Sequence, residues 1–176
     1  MGTFIYNSKY LLGRQFNDPV VREQWTDWPY AVVKGEYNEC QIRLHNGQCK
    51  SMAEIMSRLI LDKKLQAEQW AGEKITKATL SVPYNATTIM YVTMLEAAAI
   101  AGIDCVRLVT EPIAAIMGTA IGEEFYKKFA KREHFSLVFD LSAERLAVSV
   151  VHVCNAIPTV KSYVEDRTIG GRFLDE

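Results

Sequence analysis

The stretch from Thr79 to Gly118 constrains the chain more than any other. It reads TLSVPYNATTIMYVTMLEAAAIAGIDCVRLVTEPIAAIMG. A β-branched run ends at Val82-Pro83 and a Thr-rich turn follows. Met90, Met94, Ala97, Ala98 and Ala101 then recur at helical spacing. Gly102 stands where a helix commonly stops in a left-handed residue, and Val106 to Thr110 resumes an extended apolar run. Glu111-Pro112 opens a second helix, because proline at the first helical position forfeits no hydrogen bond. Strand, helix, strand, helix in that order predicts a right-handed crossover within a mixed or parallel sheet.

The flanks extend the α/β pattern. Asn7 or Ser8 caps a short helix ended by Gly13, with Lys9 in its first turn, and Asp18-Pro19 opens another carrying Val20, Val21 and Trp25. Trp25 and Trp28 are expected to form an aromatic cluster. Ala31 to Lys34 and the alternation Cys40, Ile42, Leu44 predict strands, with Asn46-Gly47 as a type I′ hairpin turn. From Met52 to Trp70 apolar residues fall at 52, 55, 56, 59, 60, 67 and 70, a helical stripe with Arg58, Asp62 and Lys64 toward water, and Gly72 closes it. The segment 122–134 is charged and aromatic without an apolar face. Phe135 to Leu141 and Leu146 to Val153 read as a hairpin around Ser142 to Arg145, Val160 to Tyr163 as a further strand, and Gly170-Gly171 as a turn open to close backbone approach.

Several of these segments resemble the nucleotide-binding domain of the seventy-kilodalton heat-shock chaperone family. They are NSKYLLGRQFNDPVV (Asn7 to Val21), WPYAVV (Trp28 to Val33), Val82-Pro83, AAAIAGIDCVRLVTEP (Ala97 to Pro112), FDL (Phe139 to Leu141) and IGGRFLDE (Ile169 to Glu176). The resemblance implies an actin-like (ribonuclease H-like) ATPase fold, here incomplete, with parts of two lobes. Residues 1–51 would be a peripheral subdomain of lobe I, 52–126 its α/β core, 127–134 a hinge and 135–176 the start of lobe II. The family's first glycine-rich phosphate loop would lie before the chain, and its adenosine-binding lobe and peptide-binding domain beyond it.

By the same resemblance, ATP and Mg are the implied ligands, with Lys9 at the phosphates and the attacking water, Glu111 as catalytic carboxylate and Asp140 as the carboxylate nearest the metal. Gly170 and Gly171 would serve nucleotide binding, and Pro83 would relay nucleotide state, although Tyr91 stands where the family has an arginine partner. Read alone, Lys9 is a solvated lysine, Glu111 a carboxylate favoured at a helix start and Asp140 a strand-end turn former.

The second phosphate loop departs furthest from the family pattern. Ser142, Ala143, Glu144 and Arg145 replace three glycines and a threonine, and Ala147 replaces an aspartate. Side chains deny the loop the positive φ angles that glycine permits. A carboxylate at Glu144 about 4 Å from a phosphate charge costs roughly 4 kcal/mol at an effective dielectric near 20. Arg145 could offset this only by turning inward.

Composition narrows the alternatives. A formal net charge of −1 and a pI near 6.3, with both signs scattered, provide no basic stripe for nucleic acid. Cys40, Cys49, Cys105 and Cys154 form no C-x-x-C pair, as expected of reduced thiols in a cytoplasmic protein. No stretch has the length of an apolar membrane span. The resemblance implies one of two function classes: a chaperone ATPase module with client or co-chaperone partners, or a degenerate, non-hydrolysing relative or truncated product acting only through protein contacts.

Overall fold

The computed structural model describes residues 3–24, 28–119 and 132–171. The chain divides into two compact units, residues 1–80 with 85–108, and residues 81–84 with 109–176.

In the first unit a 3-10 turn at Ser8–Tyr10 precedes helix α1, Pro19–Gln24. Asn7 adopts a left-handed φ of 56° and makes no side-chain cap, so the expected capped helix is a single tight turn. Asp18 does cap, its Oδ1 accepting from the Val20 N–H at 2.9 Å. Trp28 is buried and stacked on Tyr30 at 5.6 Å, whereas Trp25 lies outside the described residues. Strands β1 (Ala31–Lys34), β2 (Cys40–Arg43) and β3 (Cys49–Ser51) form an antiparallel sheet in that order.

The expected type I′ turn at Asn46-Gly47 is not what forms. Only Gly47 is left-handed, at φ 82°, while the Gly47 N–H donates to the Leu44 carbonyl and the Leu44 N–H to that of Gln48. This is a three-residue loop, with a type I turn followed by a left-handed glycine.

Helix α2, Met52–Ala71, stops at Gly72, φ 73°, as expected, and starts at a capping box. Ser51 Oγ accepts from the Glu54 N–H at 3.2 Å, and the Ser51 N–H donates to Glu54 Oε2 at 2.9 Å. The apolar stripe is buried only at its start. Met52 and Ala53 are in the core, but Leu59 is half exposed and Trp70 is 92% exposed. Lys64, expected to face water, instead donates to the carbonyls of Ala101 and Gly102. It thereby ties α2 to the end of α3, Thr88–Ile100, where orphan carbonyls need donors. Helix α3 buries Met94, Ala97 and Ala98 against α2, and Thr87 caps it through the Met90 N–H.

Strands β4 (Lys77–Val82) and β5 (Asp104–Thr110) pair in a two-stranded sheet, and α4, Glu111–Thr119, follows β5 directly. The second unit is built on β6 (His134–Leu141), β7 (Leu146–Cys154) and β8 (Ile157–Asp166), an antiparallel sheet with β7 central. The third strand extends well beyond the expected Val160 to Tyr163. Asn155 and Ala156, φ 51° and 62°, form the two-residue left-handed turn joining β7 to β8. One extra residue, Lys161, bulges from β8 between the pairs Val151↔Val160 and Val150↔Ser162.

Alternation gives this sheet two unlike faces. Ala147, Ser149, Val151 and Val153 of β7 are buried on the face where α4 packs. Phe135, Leu137, Phe139 and Leu141 of β6 stand on the other, each between 45% and 69% exposed. The expected hinge at 127–134 falls largely outside the described residues, and its final residue, His134, begins β6.

Candidate functional site

Three elements of the second unit deliver carboxylates to one point. Glu111 is the first residue of α4, Asp140 the penultimate residue of β6, and Glu165 lies on β8 beside Ala147 in the ladder. Between them lies Arg145, its side chain only 5% exposed. The Nη2 group donates to Glu111 Oε2 at 2.5 Å and lies 3.6 Å from Asp140 Oδ2. The Nη1 group donates to the Tyr163 hydroxyl at 2.6 Å and to Glu165 Oε2 at 3.0 Å. The Nε atom is buried without an acceptor. Arg167 pairs with the other oxygen of Glu165 at 3.0 Å, and the Tyr163 hydroxyl donates to Glu165 Oε2. Glu111, Pro112, Val138, Asp140, Arg145 and Tyr163 all border a cavity of about 40 Å³.

These contacts shift the ionisation of Arg145, Tyr163 and Glu165. Burial works against the charged form of Arg145, but Glu111, Tyr163 and Glu165 together outweigh it and raise its pKa above the ordinary arginine value. Burial together with its bond to Glu165 pushes the Tyr163 phenol up to about 12. Burial also opposes ionisation of Glu165, yet the Tyr163 hydroxyl, Arg167 and Arg145 hold its carboxyl below the usual carboxylate range.

The turn from Ser142 to Arg145 is closed on itself and packed by its own chain. The Ser142 N–H and Oγ both donate to the Arg145 carbonyl, at 2.9 and 3.1 Å. The Gly171 N–H donates to the Ser142 carbonyl at 2.9 Å. Gly170 lies against Ala143 and Arg145 so tightly that an added Cβ would meet three backbone atoms of that turn. The close approach at Gly170 is to the backbone of Ala143 and Arg145.

The other expected site residues lie as follows. Lys9 belongs to the first unit, in the 3-10 turn, with its Nζ 5.9 Å from the Tyr10 ring centroid. Pro83 follows β4 and precedes Tyr84, whose ring sits 4.9 Å from that of Tyr163. Sequence reasoning missed Tyr163 and Glu165 as site residues and left Arg145 outside. The available signal was the alternation of β8, which puts 163 and 165 on one face.

The family model described as Hsp70 protein matches residues 2–176. The chain belongs to the Hsp70 family. It is 30% identical over 173 residues to a ribosome-associated molecular chaperone of Zygosaccharomyces rouxii, covering 97% of this chain and 28% of that protein. It is likewise 30% identical over 174 residues to the heat shock cognate HSP70 protein of Trypanosoma brucei brucei, covering 97% and 25%. The mitochondrial heat shock 70 kDa protein of Solanum tuberosum is 30% identical over 168 residues, covering 96% and 23%. The chain thus spans about a quarter of the length of the curated relatives it matches.

Hsp70 membership implies the actin-like ATPase fold, and mixed α/β units with small sheets agree with it. Among the described residues no helix is long and apolar enough to cross a membrane.

The Hsp70 family binds ATP with magnesium, and the residues here do not fit that pair. Arg145 already occupies the space between Glu111 and Asp140 with a fixed positive charge. Among the described residues no group of three or more His, Cys, Asp or Glu side chains is placed to hold a metal ion. The turn that would cradle phosphates has its Ser142 carbonyl bonded to Gly171 and its Ser142 N–H bonded inward.

Proposed function

We propose that this Hsp70-family chain is a non-hydrolysing relative, retaining part of the actin-like scaffold and acting in the cytoplasm through protein contacts with chaperone clients or co-chaperones. The observation that carries this reading is the Arg145 guanidinium bonded to Glu111 and facing Asp140, the two carboxylates an ATPase of this kind would need. A carboxylate held by a buried guanidinium is a poor base and a poor organiser of metal-bound water, since its lone pairs are already engaged. The exposed row Phe135, Leu137, Phe139 and Leu141 supports action by contact, because apolar surface gathered on one face suits protein association.

On this reading Lys9 and Pro83 keep their residue types without the nucleotide steps they would serve, and Gly170 and Gly171 seal the 142–145 turn. The hydrolysing alternative rests on the residue types alone, carboxylates at Glu111 and Asp140 where the family resemblance assigns them. Calorimetry of the whole chain with magnesium and ATP separates the two. The expected result is no magnesium-dependent binding, and a dissociation constant tighter than about 10 μM overturns the proposal.

A further inference from the structure

The carboxylate cluster raises a question that the family assignment does not answer, namely what neutralises it. Arg167 covers one oxygen of Glu165 and Arg145 the other. Among the described residues Glu111 and Asp140 share a single cationic partner, both facing the same nitrogen of Arg145. Two carboxylates facing one nitrogen repel each other where water is partly excluded, and a cation placed between them relieves that repulsion. Arg145 reaches that point from the turn before β7 and is buried in doing so.

We propose that Arg145 is the resident cation of this site. It supplies from within the chain the charge that Glu111 and Asp140 would otherwise draw from a hard divalent cation, so the intact chain takes none and truncation of Arg145 opens a site for one. Oxygen-only donors and open solvent on the Asp140 side, 45% exposed, suit magnesium or calcium, which bind through one or two carboxylates and keep waters. A thiolate- or imidazole-seeking metal is excluded by the donor set. The inference rests on the non-hydrolysing reading above.

The test is the thermal melting of the whole chain in chelator, in millimolar magnesium chloride and in millimolar calcium chloride, with sodium chloride matching ionic strength. Wild type, Arg145→Met, Arg145→Lys and the double variant E111Q/R145M are compared. Wild type and Arg145→Lys are expected to melt at the same temperature in all three salts. Arg145→Met is expected to melt several degrees lower in chelator and to recover part of that loss in either divalent salt, whereas E111Q/R145M shows no such recovery.

The proposal is overturned if wild type gains divalent-dependent stability that Glu111→Gln removes. It is equally overturned if Arg145→Met shows no divalent response, or stays unfolded in every salt. Nucleotide calorimetry on wild type is read separately. Tight binding there, with Arg145→Met behaving as expected, sinks the non-hydrolysing reading alone. An unresponsive Arg145→Met beside a wild type that binds no nucleotide sinks this inference alone.

Discussion

A Cβ on Gly170 would stand 2.9 Å from the Arg145 backbone nitrogen, and closer still to the Ala143 carbonyl oxygen. The obstacle is backbone, so no side chain can swing aside. Gly170→Ala is therefore expected to force the 142–145 turn open and to cost about 1–3 kcal/mol, the range for inserting a methyl into a packed site. Chemical denaturation of the purified chain measures it. Gly171→Ala serves as comparison, since its nearest contact would be an ordinary 3.5 Å.

Stability should fall with acid through Glu165. Its folded pKa is depressed, so the stabilisation it provides is fully present above the unfolded carboxylate value and is lost as pH falls through the folded one. Melting temperature is expected to decline below about pH 4.3, the ordinary glutamate value, and the decline should be shallower in Glu165→Gln. A pH series of melts on both chains checks it, and equal slopes would remove Glu165 from the account.

Helix α2 begins at the reciprocal bonds between Ser51 and Glu54, reinforced by Lys50 donating to Glu54 at 2.7 Å. Ser51→Ala leaves the Glu54 N–H without its acceptor and is expected to cost about 1 kcal/mol. Ser51→Asp, which restores an acceptor, should recover most of it. Melts of the two variants beside wild type decide.

The outer face of the β6–β8 sheet should mediate association. Leu137 is 69% exposed and Phe139 63%. Leu137→Lys is expected to change stability by less than about 0.5 kcal/mol while shifting the chain toward monomer. Sedimentation over a range of concentrations reads the second effect, and an unchanged profile would exclude this face as the contact.

What was legible in the sequence was local. The helix over 52–71 follows from its apolar spacing, and Gly72 and Gly102 both adopt the left-handed φ expected of helix ends. The hairpin around residues 142–145 follows from two β-branched runs flanking a polar tetrad. What was illegible depended on residues far apart in the chain. The apolar stripe of α2 shows its period but not where its partner runs out, so the exposure of Leu59 and Trp70 came as a correction. Asn46-Gly47 suits two turn types that both place glycine left-handed, and loop length decided between them. Arg145 reads as a loop cation because nothing near it in sequence except Asp140 is its partner. Its other acceptors arrive from α4 and β8, 34 and 20 residues away.

The bulge at Lys161 carries a larger consequence than its size suggests. On the side of the bulge away from the Asn155-Ala156 turn, Ala147 faces Glu165 and Ser149 faces Tyr163. A hairpin of unbroken register from Cys154↔Ile157 would seat Val164 and Ser162 there instead, and rotate the phenol and the acid to the opposite surface. Absorbing Lys161 into an unbroken ladder, with no residue lost, would therefore strip the guanidinium of two acceptors at once, without altering any residue that touches it.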